Sequence, residues 1–309
     1  MLVMWLVPIA GLVVIAFTLR ETFQDLFQPS ASGSLSAWIG RATFSVSKRI
    51  RFLLPSAGAL AILFTIVSWS TLVAIGFAML YWPSVPDGFN MQTSIHRDAM
   101  SRFGIAIFYS FDTLVTLGQG GMTPSISWTR VLSVVEALLG FSLLTASISW
   151  IVLIYPALGR MRTMSRFASS LVRAEESTRV EILSGDAEQL LGSMAQDVIR
   201  TRIDFVHFPM IYYFYAATER ASLPQALGQL LEIAERGGEE SQPERVRLTA
   251  ATLRAALEDF AEILAARFVE GDAKNPENVF TAFQRDHLID SAQTASGHGS
   301  AVNQRQRRS

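Results

Sequence analysis

Residues 113–121 read Thr113-Leu114-Val115-Thr116-Leu117-Gly118-Gln119-Gly120-Gly121, followed by Met122-Thr123-Pro124. Glycine at alternate positions, Gly118 and Gly120, lets the backbone switch between left- and right-handed conformations without a Cβ clash. Successive carbonyls can then face the same way, towards an axis. Upstream, Phe103 to Leu114 reads as a short helix. Arg102 to Thr123 as a whole is too short and too mixed in polarity to cross a bilayer. A short helix followed by such a turn suits a re-entrant segment, because non-helical backbone at membrane depth survives only where protein buries it or water reaches it.

The sequence on either side supplies the membrane. Of 53 charged residues, 14 lie in residues 1–159 and 39 in residues 160–309, so an apolar half is joined to a half of ordinary polarity. Three stretches are free of charge: Met1 to Leu19, the 31 residues Phe52 to Trp82, and Ala137 to Gly159. At 1.5 Å per residue each can span the hydrocarbon layer. The first lacks the basic start and the small-residue cleavage site of a signal peptide, which favours a retained anchor.

Charge bias orients the spans. Arg20, Arg41, Lys48, Arg49 and Arg51 lie between the first two, against only Glu21 and Asp25. Arg160, Arg162, Arg166 and Arg173 follow the third before any acid appears. Basic loops stay cytoplasmic, so the N-terminus faces outward and the C-terminal half is cytoplasmic. Residues 83–100, with Pro83, Pro86, Asp87 and Gly88, become an external loop. The fold class expected is an all-α membrane protein: three transmembrane helices, a re-entrant pore loop between the second and third, and an all-helical cytoplasmic domain. The expected boundaries are an anchor over 1–19, a linker over 20–52, a pore domain over 53–159, a helical domain over 160–290 and a disordered basic tail over 291–309. Within the pore domain the outer helix takes 53–82, the pore helix with its filter 101–123 and the inner helix 127–159.

Thr113-x-x-Thr116-Leu117-Gly118-Gln119-Gly120 resembles the potassium-channel signature Thr-x-x-Thr-Val-Gly-Tyr-Gly, in the setting of the bacterial two-helix pore-loop channels of the ion-channel-2 type. Pro124, Trp128 and Arg130 fall where those channels often carry them, and Gly140 follows Thr116 at the spacing of their inner-helix hinge. The resemblance covers residues 98–159, with the second span as outer helix. It implies a homotetramer in an inner (plasma) membrane. Thr116, Leu117, Gly118, Gln119 and Gly120 would form a selectivity filter whose carbonyl oxygens replace the hydration shell of a monovalent cation. Five extended residues span roughly 15 Å, room for several ions in file. Asp112 and Thr113 would support the filter from behind, Gly140 would be the hinge, and Phe141, Leu144 and Ile148 would lie closest to the axis. Potassium is the expected ion because Thr-Leu-Gly retains the inner sites.

Two residues depart from the signature. Gln119 replaces the aromatic that packs against the pore helix, and Gly121 replaces the usual acid. A hydrogen bond from the Gln119 amide to Asp112 would substitute for the missing packing. The same departures leave a weakly selective sodium- and potassium-passing pore as the alternative, and a nonconducting scaffold as the reading from another class.

The remaining residues exclude more than they specify. With no Cys, four His and no nucleophile–base motif, neither an enzyme nor a cofactor is expected, and a net charge of −1 gives no reason to expect nucleic acid. No span carries the periodic arginines of a voltage sensor. Ser142, Thr145 and Ser149 share one face of the third span, where hydroxyls usually bond their own i−4 carbonyls. Pro156 either bends the inner helix near its mouth or ends it. Glu136, an ionisable group at membrane depth, reads as support behind a pore helix or as an ion site. Ser34 to Phe52 reads either as an interfacial helix meeting lipid headgroups or as a solvated connector. In the C-terminal half, helices are expected over Asp186 to Arg202, from Ser222-Leu223-Pro224 to Gly237-Gly238, and over Pro243 to Gly271. The aromatic stretch Phe205 to Tyr215 is expected as packed core, subunit interface or a sensor around His207. No glycine-rich nucleotide loop marks a cytoplasmic ligand.

Overall fold

The computed structural model describes residues 2–27, 34–91, 101–118, 121–214 and 222–287. The expected tail over 291–309 lies outside them. Among the described residues the chain is almost wholly helical, and contacts divide it into two units, Met1–Ala157 with Phe205–Phe214 and Leu158–Asp204 with Tyr215–Ser309. This is a membrane protein: three helical stretches, Trp5–Leu26, Phe52–Ser84 and Ser127–Thr178, are long and apolar enough to cross a bilayer.

In the first unit, α1 (Leu2–Phe27) packs along α3 (Ala57–Tyr81). Gly11 and Gly76 bring the two backbones together: a Cβ on Gly11 would stand 2.6 Å from the Gly76 carbonyl oxygen. Small residues at such crossings are the usual device where lipid removes the hydrophobic drive for helix association. Between them lies α2 (Ser34–Arg49), whose first turn is capped from α1. Glu21, itself buried, accepts from the Leu35 amide at 2.9 Å and the Ser34 hydroxyl at 3.2 Å, and Asp25 accepts from Ser36 at 2.9 Å. Both carboxylates thus satisfy donors at a helix N-terminus, where the dipole favours negative charge.

The short α4 (Arg102–Leu114) starts at Ser101, whose hydroxyl accepts from the Gly104 amide at 3.1 Å. It packs on α3, and their shared core includes Val73, Phe77, Tyr81, Ile105 and Tyr109. Two three-residue strands, β1 (Phe89–Met91) and β2 (Met122–Pro124), pair antiparallel with Asn90 opposite Thr123. Part of the stretch expected to be external loop is therefore strand.

α5 (Ser127–Thr178) is the longest element, with 52 residues and roughly 78 Å of length. The apolar run ends at Gly159 but the helix does not. Backbone hydrogen bonding continues through Arg160 to Thr178, a stretch without glycine or proline. Pro156 sits inside the helix, so the alternative that it ends the helix is overturned. One lost bond to the carbonyl four residues back is outweighed by the helix on either side.

Phe205–Phe214 of the aromatic stretch belongs to this unit. Pro209–Tyr213 forms a 3₁₀ turn that seats Tyr213 over Gly40, with Tyr212 and Tyr213 rings 6.0 and 5.6 Å from that of Phe44. Met210 to Tyr213 are all buried and form packed core, whereas His207 is exposed at the end of its helix.

The second unit is a helical bundle. Its members are the distal part of α5, α6 (Ala187–His207) up to Asp204, α7 (Leu223–Gly237), α8 (Glu244–Arg267) and α9 (Pro276–His287). Leu191, Leu227, Leu230, Leu257, Phe260 and Phe283 are its fully buried centre. Two bidentate ion pairs tie the distal part of α5 to the bundle. Arg160 donates to Asp204 at 2.9 and 2.6 Å, and Arg236 to Glu175 at 2.9 and 2.7 Å.

Candidate functional site

α4 ends in an arrangement that its sequence makes unusual. The Leu117 amide donates to the Asp112 carbonyl and the Thr116 amide to the Thr113 carbonyl, each at 3.0 Å, which is a Schellman closure. The residue at the left-handed position of that closure is ordinarily glycine. Here it is Thr116, at φ 54°. For a β-branched residue this conformation costs roughly 1–2 kcal/mol. Two residues later Gly118 is left-handed again, at φ 57°. The chain thus leaves the helix with alternate residues on the left-handed side, and held strain of this kind collects at functional sites.

Val115, Thr116, Leu117 and Gly118 are all exposed, with Val115 and Leu117 each about 60% accessible. A Cβ built on Gly118 would meet nothing within 4 Å. Gln119 and Gly120, and with them the expected Gln119–Asp112 hydrogen bond, lie outside the described residues.

The opposite side of α4 is closed. Glu136 on α5 is completely buried; it accepts from the Tyr81 hydroxyl at 2.8 Å and contacts Ser110 of α4. Ser110 also lies 2.8 Å from the Ala74 carbonyl oxygen on α3. Ser133 donates to the Thr129 carbonyl at 2.7 Å and so receives the Tyr109 hydroxyl, also at 2.7 Å. Tyr81, Tyr109 and Phe89 stack edge to face with centroids 4.7 to 5.8 Å apart. One carboxyl therefore joins α3, α4 and α5. Leaving its buried partners unsatisfied would cost about 1–3 kcal/mol each.

Beyond the turn, β2 is pinned by its pairing to β1, by the Ser125 amide donating to the Gly88 carbonyl at 2.9 Å, and by Arg130 donating to the Pro124 carbonyl at 3.0 Å. The strained turn is thus held at both ends.

Gly140 lies directly beneath the end of α4: any Cβ there would collide with the Leu114 carbonyl. Close approach alone accounts for glycine at this position. Phe141, Leu144 and Ile148 are 65, 59 and 55% exposed. They continue an apolar face of α5 that includes Val131, Val134 and Leu138 and that the other described residues leave uncovered. Ser142, Thr145 and Ser149 each donate to their own i−4 carbonyl at 2.8–2.9 Å, and they line a groove of about 470 Å³ beside Leu26 and Trp150. Their hydroxyls are spent on the helix, as is that of Thr113, which donates to Tyr109 at 2.9 Å.

Of the residues expected from sequence, Thr116, Leu117 and Gly118 share one exposed strained turn, with Asp112 and Thr113 supplying the carbonyls that close it. Glu136 is support rather than an exposed ion ligand. Its partners Tyr81 and Ser110, and the adjoining Tyr109–Ser133 pair, are not among the expected residues. The available signal was a set of polar groups inside otherwise apolar helices, with one carboxyl in need of donors. No group of three or more His, Cys, Asp or Glu capable of holding a metal occurs among the described residues.

Residues 60–155, from α3 through Tyr155 of α5, match the protein family described as an ion channel. That match points to a channel and not an enzyme; permeant ions are such a protein's substrate, and it has no cofactor. Over 281 residues the chain is 21% identical to the uncharacterized membrane protein YdjJ of Bacillus subtilis (strain 168), covering 87% of this chain and 81% of that protein. No solved structure matches the chain.

Proposed function

We propose that this chain is one of four identical subunits of a potassium-preferring cation channel of the inner (plasma) membrane. The observation that carries the reading is the turn after α4. Thr116 and Gly118 alternate into the left-handed region, uncovered, between two candidate spans that match an ion-channel family.

Each subunit contributes one strand of backbone, Thr116 to Gly120, and four around an axis make rings of carbonyl oxygens. A potassium ion entering exchanges its hydration shell for those oxygens and the Thr116 hydroxyl, and a second ion in file speeds its exit. Asp112 and Thr113 stand behind this filter. The C-terminal end of α4 points partial negative charge at the same place, which favours cations. Below it, Phe141, Leu144 and Ile148 line the path, and Gly140 lets the pore helix sit close while the inner helix bends. The N-terminus lies outside and residues 160–290 form a cytoplasmic domain. Membrane lipid surrounds the assembly. Gln119 and Gly121 favour, as a second reading, a filter of the same design that also passes sodium.

The test is purification of the full chain, measurement of its mass in detergent by light scattering, and flux in liposomes. Four copies and a potassium flux that persists without added ligand or enzyme substrate are expected. A monomer, or vesicles that stay tight even with Gln119→Tyr, would leave only a nonconducting scaffold.

A further inference from the structure

The geometry points to the outward face of α2 as a docking surface for anionic phospholipid at the cytoplasmic side of the bilayer. That side assignment rests on the orientation proposed above; the face and its charges do not. α2 links the end of one candidate span, Leu26, to the start of the next, Phe52, so it lies at one surface of the membrane whichever way the chain is inserted.

Its rotation about its own axis is fixed. Ser36, Ile39, Gly40, Thr43, Phe44 and Ser47 are buried against α3 and the Tyr212–Tyr213 turn. The remaining face cannot turn inward, and its composition is two-fold. Trp38 is 63% exposed and Val46 54%, with Ile50 just past the helix end at 48%, while Arg41, Lys48 and Arg49 are exposed alongside them. No acid occurs on the helix, and the two nearby carboxylates, Glu21 and Asp25, are engaged at its N-terminus.

Large apolar side chains beside cations on a surface-lying helix fit the boundary between acyl chains and phosphates. Trp38 suits the headgroup level, where an apolar ring and an N–H donor are both satisfied. Lys48 keeps its ammonium 4.6 Å from the Phe44 ring centre, and with Arg49 it occupies the last turn of the helix. A soluble protein partner would not explain why the face is limited to the segment that membrane insertion already holds against the headgroups. A solvated connector would not carry Trp38, Val46 and Ile50 outward.

The experiment uses the full chain reconstituted in phosphatidylcholine vesicles that contain equal fractions of either brominated phosphatidylglycerol or brominated phosphatidylcholine. The Trp38 contribution is the fluorescence of the wild type minus that of Trp38→Phe. Stronger quenching by the brominated anionic lipid is expected. Its preference over the zwitterionic lipid should fall about five-fold for each of Arg41→Gln, Lys48→Gln and Arg49→Gln, and should shrink in high salt. Arg41→Lys keeps the charge and should keep the preference, which separates lost recognition from lost folding. Equal quenching by the two lipids, a preference indifferent to all three substitutions, or quenching by aqueous iodide but by neither lipid would each overturn the proposal. The first two outcomes leave the conduction reading untouched, since flux is measured on the same vesicles.

Discussion

The two sides of α4 are built to opposite rules. On the inward side every polar group that is buried has a partner: Ser110, Tyr81 and Tyr109 meet Glu136 and Ser133, and the aromatic rings close the gaps. On the other side Thr116 to Gly118 are exposed, Thr116 and Gly118 are left-handed, and a Cβ on Gly118 would meet nothing within 4 Å among the described residues. Within one chain the first side is complete and the second stays exposed. Marginally stable chains do not keep a β-branched residue left-handed without compensation. In the proposed tetramer, the difference locates where further copies would contribute.

Substitutions can break this contrast in order of expected effect. Replacement of Gly118 by Ala should abolish flux while lowering the thermal stability of the chain by only about 1–2 kcal/mol, because the new Cβ meets open space in one subunit and the penalty is conformational. Conduction and denaturation measured on one preparation check the pair. If flux survives, the strained side has no special role. Glu136→Ala removes an acceptor from a fully buried cluster and should cost about 3 kcal/mol, seen as a lowered melting temperature in detergent. Glu136→Gln, which can still accept from Tyr81, should lose less than half of that. Gly140→Ala drives a methyl into the Leu114 carbonyl and should cost about 1–3 kcal/mol by overpacking. If Gly140 acts chiefly by close approach, ion selectivity as well as opening should change; a pure hinge would alter opening alone. The smallest stability effect, and of opposite sign, belongs to Thr116→Gly. Glycine is the better residue for a left-handed helix end, so the folded chain should gain up to about 1 kcal/mol while potassium preference falls. A gain in stability with unchanged selectivity would mean that Thr116 only caps a helix.

What the sequence discloses follows from the range of the forces involved. The spans are legible because freedom from charge over about twenty residues is a local property with one cheap explanation. The strained turn is legible through its alternate glycines, although only geometry reveals that Thr116 takes the left-handed position that a glycine usually holds. The extent of α5 is less so: composition changes at Arg160, whereas helix continuity depends on backbone bonding that composition does not report. Least legible are contacts between distant segments. Glu136 advertises a need for donors, yet Ser110 and Tyr81, 26 and 55 residues away, become its partners only when three helices meet. Likewise Tyr213 finds Gly40 across most of the chain, and nothing in either local sequence names the other. α9 carries Val279, Phe280 and Phe283 into the bundle from a stretch too short and polar to stand out.

The central claim concerns ion discrimination by uncovered backbone, and a bi-ionic reversal potential reads it most directly. With potassium on one side of a planar bilayer and an equal concentration of sodium on the other, reconstituted wild-type protein should reverse far from zero with the potassium side negative, and Thr116→Gly should move that value towards zero. Currents that reverse at zero in the wild type would give the pore to both ions alike, and the absence of any current from correctly folded protein would contradict the account altogether.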